Sequence, residues 1–286
     1  MTYPVLKRGD KGEDVIRLQS ELNKVGAMLI PDGDFGPGTR RGVLYAQDIA
    51  GHPATGTADP VLWDWLDAQP KPFEKLDTNG VAFIAREETG GLSYYETVTR
   101  WPHYPGQASG ITIGVGYDLR FNSRDDFEAT WGGCLPAAHI EELSRDIGQK
   151  GSKSRALELK NMGIEVPFKS AWPVLVTFTL PRFYQSTETI YPSIGSLPDL
   201  CRSALVSIVF NRGTSLSGSP RREMKEIRKI LESADNDALA KDEKKTVLQA
   251  VEDRILSMKR LWAPGSGLIK RRQGEANLWR EGLGAW

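Results

Sequence analysis

The sequence predicts a mainly α-helical protein: a small three-helix module at the N-terminus, then a larger α+β domain with a small β-hairpin lobe. Three observations carry this. Val15, Leu18, Leu22 and Val25 recur at helical spacing, the pattern of an amphipathic helix. Two loops rich in turn formers, IPDGDFGPGT (30–39) and GHPATGTADP (51–60), divide residues 5–66 into three helical stretches. In the mostly helical remainder, one Gly-rich, β-prone stretch near 106–118 leaves room for a small sheet only.

In chain order, the first helix is expected from Glu13 to Val25, with Asp14 as its candidate cap. The second runs from about Thr39 to Ile49, and the third is VLWDWL (61–66). GDKGEDVIRLQ and DFGPGTRRGVLYAQ both pass from glycines through Val to Gln, which implies two similar helical halves. Residues 1–68 are assigned to the module. Residues 69–78, with Pro70, Pro72 and mixed charge, are assigned as a linker, and 79–286 as the second domain. There Thr78 or Asn79 caps the helix VAFIAREETGG (81–91), and Gly90-Gly91 stops it just after two acids, Glu87 and Glu88.

Composition excludes several functions. With 37 basic and 37 acidic residues the net charge is zero, unlike a basic nucleic-acid binder, so no nucleic-acid partner is expected. The basic stretches RREMKEIRK (221–229) and 254–280 leave two readings, attraction of an anionic polymer such as bacterial wall or, the preferred one, solvated helix faces. No apolar run approaches the ~20 residues of a membrane span, so no membrane insertion is expected. The first residues, MTYPVLKRGDKGEDV, lack a secretory h-region. The expectation is synthesis in the host cytoplasm, with another factor needed to reach an external substrate. Two cysteines, Cys134 and Cys201, make no disulfide framework, and Cys201 reads as a buried thiol. His52, His103 and His139 show no metal-ligand spacing, so neither a metal nor a cofactor is expected. The chain is expected to be a monomer.

The N-terminal segment resembles the peptidoglycan-binding module of wall hydrolases. The matching residues are Leu6, Gly9, Gly12, Val15, Leu18 and Gln19; then Asp32, Gly33, Phe35, Gly36 and Thr39; then Thr55, Gly56, Asp59 and Trp63. Ala46 departs from the family's aromatic, with Tyr45 beside it. The resemblance implies binding to cell wall. The loop is expected to set Asp32, Phe35 and Thr39 around a polar groove with an aromatic wall; read alone, Asp32 and Thr39 only cap turns and helices.

The second domain resembles the phage-type lysozymes, including their pesticin-like branch. Its marks are Glu88 at a helix end, then Thr112-Ile113-Gly114-Val115-Gly116, then RSALVSIVFNRG (202–213) and GLIKRRQGEANLW (267–279). Three features depart from the pattern. No Asp lies between Glu88 and Thr112, where Glu96 is the only acid. TRWPHYPGQASG (99–110) is inserted, and Tyr117 stands where the family has His, which makes it a substrate-binding candidate. The resemblance implies an endolysin-type muramidase, with Glu88 as general acid and Asp118, with Thr112, activating water. Glu87 is the alternative acid; Glu88 is preferred because it lies four residues after Ile84 on one helix face. Glu96 is the reserve second carboxylate. Trp101, Tyr104, Tyr94 and Tyr95 are candidates for stacking on sugar rings, and Arg271, Arg272 and Glu275 read as structural. A lytic transglycosylase and a wall-binding protein with an inactive second domain are the competing readings. The expected role is phage endolysin or delivered antibacterial toxin, acting in the periplasm or wall.

Overall fold

The structure, a computed structural model, describes residues 3–286. It is mainly α-helical, and among the described residues the only sheet is one antiparallel pair of short strands. Two compact units divide the chain: Met1–Pro72 with Ala85–Leu180, and Phe73–Ile84 with Pro181–Trp286.

In the first unit, α1 (Glu13–Asn23), α2 (Pro37–Ala50) and α3 (Pro60–Asp67) form the expected three-helix module. Its core is its own: Val15, Leu18, Leu22, Phe35, Val43, Leu62, Trp63 and Leu66 are fully buried together. Gly12, not Asp14, precedes α1, at φ 109°, where a side chain would be strained. Helix α1 stops short of Val25 because the chain turns through Gly26 at φ 97°. Pro37 opens α2, two residues before Thr39, since a first-turn proline loses no hydrogen bond.

The two-halves pattern in the sequence has a physical basis. The buried Gln19 amide donates to the Asp32 side chain (2.8 Å) and the Asp34 carbonyl (3.2 Å), and accepts from Gly33 N–H (3.0 Å). Gln47 repeats the arrangement on the second loop. It donates to the Thr55 hydroxyl (2.9 Å) and the Thr57 carbonyl (3.0 Å), and accepts from Gly56 N–H (2.9 Å). Each glutamine thus pins a three-residue loop whose middle glycine has positive φ.

The module packs directly on the rest of its unit. Trp172 donates its indole N–H to the Lys24 carbonyl (3.2 Å), Lys169 pairs with Asp48 (2.9 Å), and a Cβ at Gly26 would lie 2.8 Å from the Trp172 ring. The remainder of this unit comprises the end of α4 (Thr78–Thr89), α5 (Leu92–Tyr94), a π-helical turn (Tyr95–Thr99), the strands β1 (Thr112–Ile113) and β2 (Tyr117–Asp118), and four helices. These are α6 (Arg124–Trp131), α7 (Ala137–Ser144), α8 (Lys153–Asn161) and α9 (Phe168–Val174).

In the second unit, residues 73–77 of the expected linker are packed: Leu76 is buried and Phe73 lies edge-on to Tyr184. Asp77, not Thr78 or Asn79, caps α4, accepting from Asn79 N–H (2.7 Å) and Gly80 N–H (3.1 Å). Helix α10 (Leu180–Ile190) leads to α11 (Asp199–Arg212), which is buried on nearly every face and so forms the centre of this unit. Around it lie α12 (Arg222–Ala234), α13 (Lys241–Ser257) and α14 (Gly267–Ala285). Small residues let α4 and α14 each approach α11 closely: a Cβ at Gly80 would strike Ser203, and one at Gly282 would lie 2.8 Å from the Cys201 sulfur. Glu275 on α14 is fully buried; it accepts from the Ser207 hydroxyl (2.7 Å) and pairs with Arg271 and Arg272. That set is structural, as its helix spacing suggested. Burial also pushes the Cys201 thiol up to about 12, consistent with an inert core residue.

The paired glutamines make a test. Gln19→Ala or Gln47→Ala strands a buried glycine N–H and a loop carbonyl, and each is expected to cost about 1–3 kcal/mol. Urea denaturation of the full chain measures this. Losses that differ severalfold between the two variants contradict the equivalence of the loops.

Candidate functional site

The candidate acid lies at a helix end, as the glycine pair predicts. Helix α4 stops at Thr89, and Gly90 and Gly91 follow at φ 76° and 91°, conformations a side chain disfavours. Glu88 is exposed and Glu87 half-buried, while Ile84 is fully buried. The face shared with Ile84 therefore passes from core to solvent within one turn.

The β element builds the rest. Thr112 pairs with Asp118 and Ile113 with Tyr117, joined by a turn containing Gly114 and Gly116 at positive φ. Gly114 is required twice over, since a Cβ there would lie 2.6 Å from the Trp131 ring. Successive residues of a strand point to opposite faces. Ile113 and Tyr117 face the core, where Tyr117 packs against Phe127, Trp131 and Phe178 at centroid distances of 6.2, 5.6 and 5.4 Å. Thr112 and Asp118 take the other face.

A third segment extends this row. His103 bridges Thr112 with two backbone hydrogen bonds of 2.8 and 3.0 Å, so His103, Thr112 and Asp118 lie side by side across three segments. His103 Nδ1 and the Thr112 hydroxyl are shielded from solvent and have no hydrogen-bond partner. Buried polar groups are seldom left without a partner. Asp118 is more committed: its carboxylate accepts from Gly110 N–H (3.0 Å) and Arg120 N–H (2.9 Å). It caps the turn at Leu119–Phe121 as well as facing Thr112. Sequence reasoning missed His103 because it belongs to the inserted segment, and only strand pairing brings it to Thr112.

The structure sorts the remaining candidates. Phe35 is fully buried in the module core and forms no groove wall; Phe35→Ala is a core truncation of the kind that costs about 3–5 kcal/mol. Thr39 is buried, its hydroxyl donating to the Asp34 carbonyl (3.1 Å) and accepting from Gln19 (3.0 Å). Tyr117 is only 3% exposed, a core position, so it offers no surface to a substrate. Asp32 is exposed, and hydrogen bonds from the Asp34 N–H and from Gln19 hold its carboxyl below the usual range. Of these four, only Asp32 presents itself to a ligand. Among the stacking candidates, Tyr95 is buried and bonded to the Val166 carbonyl (3.0 Å), whereas Tyr94 is half exposed. Glu96 accepts from Phe168 N–H (2.8 Å) and pairs with Arg100 (3.5 Å). Among the described residues no group of His, Cys, Asp and Glu is arranged to hold a metal ion, and no helix is long and apolar enough to cross a membrane.

The first unit thus holds a three-helix module with two glutamine-pinned loops, the acidic end of α4 and a polar strand row. Comparison with known proteins gives the module's kind: residues 11–66 match the family described as "Putative peptidoglycan binding domain". Residues 83–167, which hold Glu88 and the whole strand row, match a second family, described as a domain of unknown function (DUF8812). No curated protein matches the chain. A solved structure titled "Crystal structure of Burkholderia AP3 phage endolysin" is similar over 98% of this chain and 99% of that one. Its identity is 16% and its TM-score 0.23, which establishes no common fold.

The His103 environment has a pH consequence. Burial holds the imidazole below its usual 6.5, against the opposing influence of the Trp101 backbone and Asp118. The native ring is therefore neutral, and the unfolded chain takes up the proton first as pH falls. Its contribution to stability is complete above about 6.5 and is lost as pH drops from there toward the lower folded value. Thermal melting between pH 7.5 and 5, read at about half-unit steps, is expected to show a shallower decline for His103→Gln than for the parent. An unchanged slope contradicts this account of the row.

Proposed function

We propose that this chain binds bacterial peptidoglycan through its N-terminal module and hydrolyses the bond between N-acetylmuramic acid and N-acetylglucosamine with its second domain, in the manner of an endolysin. The match of residues 11–66 to peptidoglycan-binding domains carries the first half. The second half is supported by Glu88 at the end of α4 and by the strand row of Thr112 and Asp118.

In this reading Glu88 gives its proton to the glycosidic oxygen as the C–O bond breaks. A water held by Thr112 attacks the anomeric carbon from the other side and passes its proton to Asp118. The products are a free hydroxyl on the leaving sugar and an inverted hemiacetal. Such inversion goes with carboxyls about 6.5–9.5 Å apart in the bound complex. Asp32, exposed and ionised on the module, is the proposed polar contact to wall.

One observation favours a second reading. Both carboxylate oxygens of Asp118 accept backbone hydrogen bonds, so both are already engaged within the turn. A lytic transglycosylase needs only the acid, and closes the sugar on its own hydroxyl to give an anhydro product.

Glu88→Gln keeps size and hydrogen bonding and is expected to lower the rate of clearing of permeabilised Gram-negative cells by about 10²–10⁴-fold. Glu87→Gln is expected to keep most activity, and Asp118→Asn to fall between. A folded, active Glu88→Gln beside an inactive Glu87→Gln transfers the role to Glu87. Full activity in both sinks the glycosidase mechanism.

A further inference from the structure

The first unit contains a cleft of about 630 Å³ that lies apart from the strand row and that the proposed chemistry does not use. One wall is α2, contributing Arg41, Tyr45 and Asp48. The facing wall is the turn from Leu92 to Arg100, and Glu165, Pro167 and Lys169 close the end. The volume suits a small ligand or a few residues of peptide.

Its charges are almost all spoken for. Arg100 pairs with Glu165 (2.6 Å) and Glu96 (3.5 Å), Lys169 with Asp48 (2.9 Å), and Glu96 also accepts the Phe168 N–H. Arg41 is the exception: it is an exposed guanidinium on the rim, with no ion pair or hydrogen bond among the described residues. Tyr45 is a second loose end. Its hydroxyl is shielded from solvent and has no hydrogen-bond partner, and burial beside Glu96 pushes its ionisation up, so it stays a donor at ordinary pH. Between them, Leu44, Leu92 and Pro167 supply apolar surface.

The cleft thus offers one unpaired cation, one unused donor and an aliphatic wall between them. A guanidinium of this kind pairs best with a carboxylate, through two parallel hydrogen bonds. The complementary ligand is short, acidic and aliphatic. We propose that the cleft is a binding site for the acidic, alanine-bearing stem peptide of peptidoglycan, with a stem carboxylate on Arg41. This rests on the reading of the chain as a wall-binding protein and names the part of the wall that the cleft takes. It also gives a reason for the packing of the module on Phe168 and Trp172. The cleft exists only because α2 faces the 92–100 turn within one compact unit.

The test titrates a fluorescein-labelled synthetic stem tetrapeptide into the full chain and reads anisotropy. The parallel arms are the same peptide with its carboxylates amidated, the Arg41→Ala variant, and Tyr45→Phe. Saturable binding to the parent is expected, weakened about tenfold or more by Arg41→Ala and by amidation, and less by Tyr45→Phe. Arg41 is exposed, so its variant is expected to melt with the parent, and amidation tests the carboxylate with no substitution at all. Absence of binding, or binding indifferent to both Arg41→Ala and amidation, overturns the proposal. The underlying wall-binding reading fails separately, as loss of co-sedimentation of the full chain with purified sacculi. That measurement does not depend on Arg41, because the proposed Asp32 contact remains.

Discussion

Position 26 admits no side chain. A Cβ there would lie 2.8 and 2.9 Å from the rings of Trp172 and Phe168, and the backbone turns at φ 97°. This contact joins the N-terminal module to residues 85–180 in one compact unit, with the Trp172 indole bonded to the carbonyl just before the turn. The consequence is architectural. A module usually pictured as a tethered anchor here contributes α2 as one wall of a cleft, and its position relative to the 92–100 turn is fixed by packing rather than by tether length.

The same economy of buried polar groups runs through this unit. Gln19 and Gln47 are tolerated in the module core because each satisfies its amide against one loop, and the loops take their shape from that requirement. Asp118 likewise spends its oxygens on Gly110 and Arg120. Not every buried polar atom is satisfied in this way: the His103 nitrogen, the Thr112 hydroxyl and the Tyr45 hydroxyl have no partner, and neither do Trp131 Nε1 and His139 Nδ1. The first two share a strand row with Asp118, and the third sits in the cleft.

Much of this was legible in the chain. Periodicity at Val15, Leu18 and Leu22 gave the first helix, and the glycine pair at 90–91 gave the end of α4. The repeated Gln signalled a repeated contact. Strand residues near 112–118 were visible because threonine, isoleucine and tyrosine alternate between glycines. What failed was mostly a matter of direction. Phe35, expected as a groove wall, and Tyr117, expected as a substrate-binding residue, both turn into cores, where an aromatic ring gains more by burial. Asp77 outcompeted its neighbours as a cap because its carboxylate reaches two N–H groups at once. His103 was invisible as a site residue because its partner is nine positions away and is reached only through strand pairing.

The account's central claim is hydrolysis of a specific sugar bond, and the products report on it most directly. Purified sacculi digested with the full chain release fragments whose ends mass spectrometry identifies without further treatment. The account predicts disaccharide–peptide fragments ending in reducing N-acetylmuramic acid, with one water added per bond cut. Anhydro-muramic ends, reducing N-acetylglucosamine ends, or intact glycan strands with no soluble product would each contradict it.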